Sequence, residues 1–493
     1  MNYRSTRSKN AATVSSATAI KNGMAPDGGL YMPEKIPTLT EEDLRVLAGL
    51  HYPERAAKIL SLFLTDYTEE ELLDDCRAAY ADDRFPGGAA PLVQIDRQLS
   101  SLELWHGPTC AFKDMALQIM PRLLSRALRK TGEDRTALIL VATSGDTGKA
   151  ALEGYRDVPH VKILVFFPTG GVSRIQKAQM TTQEGNNVGV CGIYGNFDDA
   201  QSGVKKIFSD TAIASELDRR GYFLSSANSI NWGRLAPQIA YYVSAYCDML
   251  NDGRIRPGDK PDVVVPTGNF GNIFAAYLAK QMGLPLGKLV CASNRNDVLT
   301  EFLRTGTYNR LRDFHLTTSP SRDILISSNL ERLLYTVCGS EKTAEYMCSL
   351  AKNGSYTVAE EEMAKIRQNF VGYCCDEAET ALYLHDAFNN HGYLMDTHTA
   401  VAYGCAQKYL ADSHSTAPLF IVSTASPYKF APAVLADITG RTEEPQHPLE
   451  ALARLSGTAI PAPLADLENK PVRFPDSIAP SEMAARVLAF AGE

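Results

Sequence analysis

Residues 262–283 read DVVVPTGNFGNIFAAYLAKQMG. The β-branched run Val263, Val264, Val265 stops at Pro266; after a G-x-x-G turn the chain becomes apolar and free of Gly and Pro as far as Met282. A short continuous apolar run followed by a longer one without breakers predicts a buried strand, a tight turn and a helix. Gly268 and Gly271 let the backbone approach a ligand closely, and the first turn of the helix offers unpaired amides and a partial positive charge. Gly268, Asn269, Phe270, Gly271 and Asn272 therefore form a candidate phosphate cradle, with a plain tight turn as the alternative. Two glycines fall short of the three-glycine dinucleotide fingerprint.

Working outward, comparable runs recur at 138–142, 161–167, 188–193, 289–292 and 419–422, separated by amphipathic stretches. Strands alternating with helices predict βαβ units, hence an α/β fold of parallel sheets covered on both faces, with ligands outside the carboxyl ends of the strands. A length of 493 residues exceeds one core; roughly two to four units are expected. We read 1–100 as an N-terminal extension of turns and acidic helical segments, 101–440 as the α/β region and 441–493 as a C-terminal segment. Within the α/β region a smaller sheet is expected at about 125–225, and an almost all helical insertion at about 300–390.

The composition, 45% hydrophobic and 22% charged with net charge −8, is that of a folded protein with no global attraction for nucleic acid or anionic membrane. No apolar run approaches the ~20 residues of a membrane-spanning helix. The polar N-terminus lacks a secretory signal, so the cytoplasm is the expected location. Ten cysteines without a CxxC pair read as reduced thiols, and nine histidines without an HxxxH pair suggest no metal.

Four further segments carry candidate chemistry. In LELWHGPTCAFKDMALQIMPRLL (102–124), Lys113 stands at the mouth of an amphipathic helix between Phe112 and Met115. Partial desolvation there would lower its pKa and free an amine for Schiff-base formation, the alternative being a solvated surface lysine. In VATSGDTGKAALEGY (141–155) a strand ends in Ser144, Asp146 and Thr147 at a helix start, a donor-rich niche for a carboxylate or phosphate or simply a capped turn. It is not a P-loop, since Thr143 replaces the first glycine and Ala150 follows Lys149. In SSANSINWGRLAPQ (225–238), Asn228, Asn231 and Arg234 form a polar clamp or a helix cap. PLFIVSTASPYKF (418–430) ends a strand in hydroxyls, Thr424 among them.

Taken in order, HGPTCAFKD, ATSGDTG, SRIQKAQM, YGNFDDAQ, NSINWGRL, PTGNFGNIFAAYLAKQMG, SSNLERLL and STASPYKF, behind the opening YRSTRS and GMAPDGGLYMP, resemble the threonine synthase family of the longer bacterial and fungal type. These are fold-type II pyridoxal phosphate enzymes, so the resemblance implies a tryptophan synthase β-like fold with two parallel-sheet α/β domains. It implies that Lys113 is the Schiff-base lysine and proton carrier. The cofactor phosphate would lie on Gly268, Asn269, Phe270, Gly271 and Asn272, and Thr424 would face the pyridine nitrogen. Asp146, where many relatives carry Asn, would stand at the ring hydroxyl, with Ser144 and Thr147 at the substrate carboxylate. The implied reaction, the last step of threonine biosynthesis, takes O-phospho-L-homoserine and water to L-threonine and phosphate. A second phosphate needs its own cationic clamp, for which the candidates are Lys205, then Asn231 and Arg234, then Arg174. The alternatives are a serine or threonine dehydratase, against which YRSTRS and DGGLY speak, and a silent binding homologue, against which Lys113 and GNFGN speak. The expected partner is the small-molecule substrate alone, in a monomer or homodimer.

Overall fold

The six apolar runs all become strands: Thr136–Ala142, Val161–Pro168, Val188–Ile193, Asp262–Pro266, Leu289–Ser293 and Leu419–Ser423. The structure, a computed structural model, describes residues 1–10, 12–143, 145–170, 172–441 and 443–492. In it the strands fall into two sheets. The larger runs in the order Phe370–Cys374, Leu289–Ser293, Asp262–Pro266, Leu419–Ser423, Leu99–Glu103, Leu92–Gln94, parallel except for the last, antiparallel pair. The smaller runs Ser477–Ile478, Val188–Ile193, Val161–Pro168, Thr136–Ala142, Tyr222–Ser225 and is parallel throughout. The central strands are buried along their length, which is why they read as unbroken apolar runs.

One expectation needs correction. The stretch expected to be almost all helical contains Phe370–Cys374, an edge strand of the larger sheet, paired in parallel with Leu289–Ser293. Five residues wedged between the helices Glu360–Asn369 and Glu377–His391 are too few to break a helical pattern. The C-terminal segment adds to the smaller sheet. Ser477–Ile478 extends the smaller sheet, and Val487 and Phe490 of the last helix, Met483–Gly492, pack with Leu138 and Leu164 in its core.

The N-terminal extension forms four helices, Ser16–Asn22, Glu41–Ala48, Tyr52–Phe63 and Glu69–Ala79. The second and fourth start at capping boxes, Thr40 with Asp43 and Thr68 with Glu71. Its opening motif is explained by what it grips. Thr6 Oγ1 donates to Glu331 Oε1 at 2.5 Å, while Arg7 donates through Nε and Nη2 to the two oxygens of the same carboxylate at 2.9 and 2.7 Å. The neighbouring Arg332, buried, donates to the carbonyls of Tyr31 and Ile230 at 3.4 and 2.6 Å. Trp232 is sealed between the rings of Tyr3 and Phe63, with centroids 5.4 and 5.6 Å away. The extension thus fixes the start of helix Leu330–Asn353 and the 228–234 turn, the second of which borders the cavity described next.

Candidate active site

Loops from the carboxyl ends of both sheets meet at one cavity, walled by Lys113, Thr147, Arg234, the 268–272 loop, Ser321 and Arg322. Lys113 precedes the short helix Asp114–Leu117, on a turn pinned by Asp114, whose carboxylate accepts from Thr109 N at 2.8 Å and Thr109 Oγ1 at 2.7 Å. Gly107 is required there, since a Cβ would lie 2.6 Å from Asp114 Oδ2. The Lys113 side chain is 13% exposed, its Nζ 3.9 Å from Asp146 Oδ2 and 5.2 Å from the Phe112 ring centre. Burial pushes its pKa down to about 8; Asp146 opposes that shift, and Arg322, Lys429 and Arg234 reinforce it.

Asp146 begins helix Asp146–Tyr155 and is buried. Its Oδ1 meets Lys429 Nζ at 2.6 Å and accepts from Gln176 Nε2 at 3.0 Å; its Oδ2 accepts from Ser321 Oγ at 3.4 Å. Burial alone would raise the Asp146 pKa, but Lys429 first and Lys113 second outweigh it and hold the carboxyl well below the usual range. Lys429 also donates to the Thr109 carbonyl at 3.1 Å, tying this pair back to the lysine turn.

The 268–272 loop is anchored from behind. Phe270 sits at the helix N-cap in left-handed conformation, φ 62°, with its ring buried 5.5 Å from that of Phe370. Ser327 Oγ donates to the Gly268 carbonyl at 2.7 Å, and Asn329 donates through both N and Nδ2 to the Asn269 carbonyl at 3.1 Å. With carbonyls tied from one side, the amides of Gly271 and Asn272 in the first helical turn have no intrahelical acceptor. Asn272 Oδ1 accepts from Tyr241 and Tyr242 at 2.6 and 2.5 Å, and its buried Nδ2 has no partner among the described residues.

Two buried guanidinium groups face the same space. Arg234 Nη1 donates to the Ala227 carbonyl, and its Nε is unpartnered among the described residues. Arg322 lies 5.7 Å from the Phe112 ring centre; its Nη2 donates to Thr424 Oγ1 at 3.1 Å and its Nε is also unpartnered among the described residues. Burial lowers both to about 10, so both stay charged at neutral pH. A buried cation without a carboxylate is costly unless an anion completes the site.

A sequence profile described as the pyridoxal-phosphate dependent enzymes matches residues 86–424; threonine synthase N-terminal and C-terminal profiles match 2–80 and 399–485. The chain belongs to this family, in its threonine synthase branch. Threonine synthase from Pseudomonas aeruginosa is 36% identical, the match covering 100% of this chain and 98% of that protein. The human protein called threonine synthase-like 1 is 40% identical over 85% of this chain, which spans only 57% of that protein's length. The solved structure of pyridoxal phosphate-bound threonine synthase from Brucella melitensis superposes with a TM-score of 0.88 at 37% identity, covering 100% of both chains; the yeast enzyme gives 0.87 at 33%, covering 99% of both.

The residues present fit the family's cofactor: a partly desolvated lysine amine, a helix start where a Cβ on Gly268 would crowd the Ser321 carbonyl (3.2 Å), and buried donors without a partner among the described residues. Of the residues singled out from sequence, Lys113, Thr147, Arg234 and the five of the 268–272 loop line the cavity, and Asp146 lies directly behind Lys113. Ser144 lies outside the described residues. Thr424 is buried behind Arg322 instead of lining the cavity itself. Asn231 is a cap, its Oδ1 accepting from Gly233 N at 2.9 Å and its Nδ2 donating to the Ile20 carbonyl at 2.8 Å, so both ends of its amide are used by the fold. Lys205 is exposed on helix Phe197–Ser209, 3.5 Å from Gln201 Oε1, and Arg174 is exposed at the start of helix Arg174–Thr181; neither lines the cavity. The Lys205 helix packs on the smaller sheet and the Arg174 helix against helix Asp146–Tyr155, and a polar loop after a strand did not suffice to aim either side chain inward. Arg322, Ser321 and Lys429 were missed. Lys429 lay in a quoted motif whose hydroxyls drew attention, whereas Arg322 sits in a segment with no strand-to-helix signal.

Proposed function

We propose that the chain is a threonine synthase that converts O-phospho-L-homoserine and water to L-threonine and phosphate, with pyridoxal phosphate attached at Lys113. One observation carries this reading: a single cavity holds a desolvated lysine amine together with two anion sites, the glycine-lined helix start at 268–272 and the guanidinium of Arg234, whose Nε has no partner among the described residues. One anion site suits a cofactor phosphate; the second suits a substrate phosphate, with the substrate carboxylate left to Thr147. Bound pyridoxal phosphate supplies the electron sink that acidifies the carbon-bound hydrogens of the substrate.

This chain's residues supply the rest. The amides of Gly271 and Asn272, at the positive end of helix Gly271–Gln281, hold the cofactor phosphate without a side-chain cation. Lys113, with a pKa of about 8, is poised to take and return protons near neutral pH. Asp146 orients that amine from 3.9 Å, and Lys429 keeps Asp146 ionised. Thr147, on the cavity wall at a helix start, receives the substrate carboxylate. Arg234, with Asn228 and Ser229 beside it, receives the substrate phosphate through a planar donor fork. Placement in the cytoplasm, as a monomer or homodimer, belongs to the same reading; among the described residues all ten cysteines are free thiols and no helix is long and apolar enough to cross a membrane.

The test compares phosphate release from O-phospho-L-homoserine with ammonia release from free serine and threonine by the purified protein. Threonine should form stoichiometrically with phosphate. Faster deamination of serine or threonine would replace this reading with a dehydratase.

A further inference from the structure

The side-chain amide of Asn272 is bound at its oxygen and free at its nitrogen. Oδ1 accepts from the Tyr241 hydroxyl at 2.6 Å and from the Tyr242 hydroxyl at 2.5 Å, while the buried Nδ2 has no partner among the described residues. The contacts themselves decide which end is which. Phenols this close suit an oxygen acceptor, since N–H···O contacts run at about 2.7 to 3.2 Å. Burial also pushes both phenols well above their ordinary pKa, so each keeps the proton it donates. A carbonyl oxygen has two lone pairs, and here both are filled.

The two phenols are held in place by the core. They are neighbours on the buried helix Pro237–Asn251 with ring centres 4.8 Å apart, and the Tyr242 ring lies 6.4 Å from that of Phe420 in the larger sheet. Successive helical side chains point about 100° apart, so two that converge on a single atom must straddle it. That atom belongs to a residue in the first turn of helix Gly271–Gln281 that lines the cavity. One turn earlier on the tyrosine helix, Gln238 Nε2 donates to the Arg234 carbonyl at 2.7 Å, and Gln238 Oε1 lies 3.0 Å from the Tyr241 hydroxyl. The same helix thus braces both anion sites.

We propose that Tyr241 and Tyr242 are positioning residues for the cofactor phosphate: by occupying both lone pairs of Asn272 Oδ1 they fix the amide with Nδ2 as the end offered to the anion. The proposal rests on the functional reading above, in which that phosphate lies on the 268–272 loop. Rotated by half a turn, the same amide would set a carbonyl oxygen against the phosphate oxygens. The phenols turn a side chain that can either donate or accept into a fixed donor, beside the free backbone amides of the first helical turn.

The experiment is equilibrium dialysis of the cofactor-free full-length chain against pyridoxal phosphate and, separately, against pyridoxal, which has the same ring and aldehyde but no phosphate. Wild type should prefer pyridoxal phosphate. Asn272→Asp keeps an acceptor for both phenols and loses the donor, whereas Tyr241→Phe combined with Tyr242→Phe keeps both rings and frees the amide. In each the preference should fall by about tenfold, the worth of one hydrogen bond to an ion, with pyridoxal binding unchanged. Either single tyrosine change removes one hydroxyl and should show a smaller loss of the same kind, so the result does not depend on the double variant folding. A role confined to packing would weaken both ligands alike, and that outcome overturns the proposal. It is equally wrong if the preference survives Asn272→Asp, or if it is lost there and kept in every tyrosine variant. A wild type that binds pyridoxal as tightly as pyridoxal phosphate overturns the reading of the loop itself, and the proposal with it.

Discussion

Lys429 Nζ lies 2.6 Å from Asp146 Oδ1, and the opposite oxygen of that carboxylate lies 3.9 Å from Lys113 Nζ. One buried carboxylate is shared by two lysines: burial brings the Lys113 amine down to about 8, and Asp146, which also faces the closer Lys429, opposes that only in part. Removing the closer lysine turns Asp146 wholly toward Lys113 and also removes a repelling cation. Both effects favour the charged amine, so Lys429→Met should raise the Lys113 midpoint by roughly one unit. Asp146→Asn should act in the opposite sense and lower it below the wild-type value. The rate at which the apo protein attaches pyridoxal phosphate, followed against pH, reads this directly. A wild-type midpoint in Lys429→Met would show that the pair is only structural.

Replacing Lys113 by Ala should abolish covalent attachment and turnover while leaving the fold in place, because a buried cation is lost and, among the described residues, no hydrogen bond of its side chain is broken. Borohydride reduction of the loaded wild type followed by peptide mapping should label Lys113. Label on Lys429, buried 2.6 Å from Asp146, or on the half-buried Lys149 would move the attachment point.

How far the sequence carries the argument depends on range. Strands such as 188–193 were legible to the residue because burial on both faces writes a local apolar run. The strand, turn and helix around 268–272 were legible because a tight turn is a matter of backbone geometry, which glycines advertise. Leu99–Glu103 was not, although every one of its residues is buried: its two serines and terminal glutamate read as polar, and Glu103 is held by His106 and Tyr393 through contacts of 2.7 and 2.8 Å. The same limit hid Arg322 and Lys429. Their roles depend on partners 102 and 283 positions away, Thr424 and Asp146, and no local pattern encodes a pairing at such distance.

The two glycines of the loop should fail differently. A Cβ at Gly271 would come 3.3 Å from Asn329 Nδ2, which is tied to the Asn269 carbonyl and must give by a few tenths of an ångström, so Gly271→Ala should lower the melting temperature of the apo protein only slightly. It would crowd the amides offered to phosphate. The loss of one charge-assisted contact, roughly 1.5 to 3 kcal/mol, corresponds to about ten- to a hundredfold weaker cofactor retention. At Gly268 the Cβ would meet the Ser321 carbonyl at 3.2 Å and Arg322 Cα at 3.5 Å, so Gly268→Ala should lower both retention and apo stability. Equilibrium dialysis and thermal melts separate the two. Unchanged retention in Gly271→Ala would make the loop a mere turn.

The substrate phosphate gives the sharpest contrast between what sequence order suggested and what the fold places. Lys205 and Arg234 each follow a strand through a short polar loop, yet only Arg234 is buried at the cavity wall with a guanidinium nitrogen lacking a partner among the described residues. Lys205 points to solvent beside Gln201, where a phosphate contact would be weakened by water and salt. Arg234→Ala should therefore lower kcat/KM for O-phospho-L-homoserine at least tenfold, about 1.4 kcal/mol or more of lost binding, and Lys205→Ala should leave it at wild-type level. Arg234→Lys should recover only part, since a point charge does not reproduce a planar fork. Inorganic phosphate, a product and an anion of the same shape, gives an independent readout: as a competitive inhibitor it should weaken against Arg234→Ala by a similar factor and against Lys205→Ala not at all. Equal loss in both variants would mean that the helix carrying Lys205 closes over the substrate. A loss confined to Lys205→Ala would remove Arg234 from the clamp.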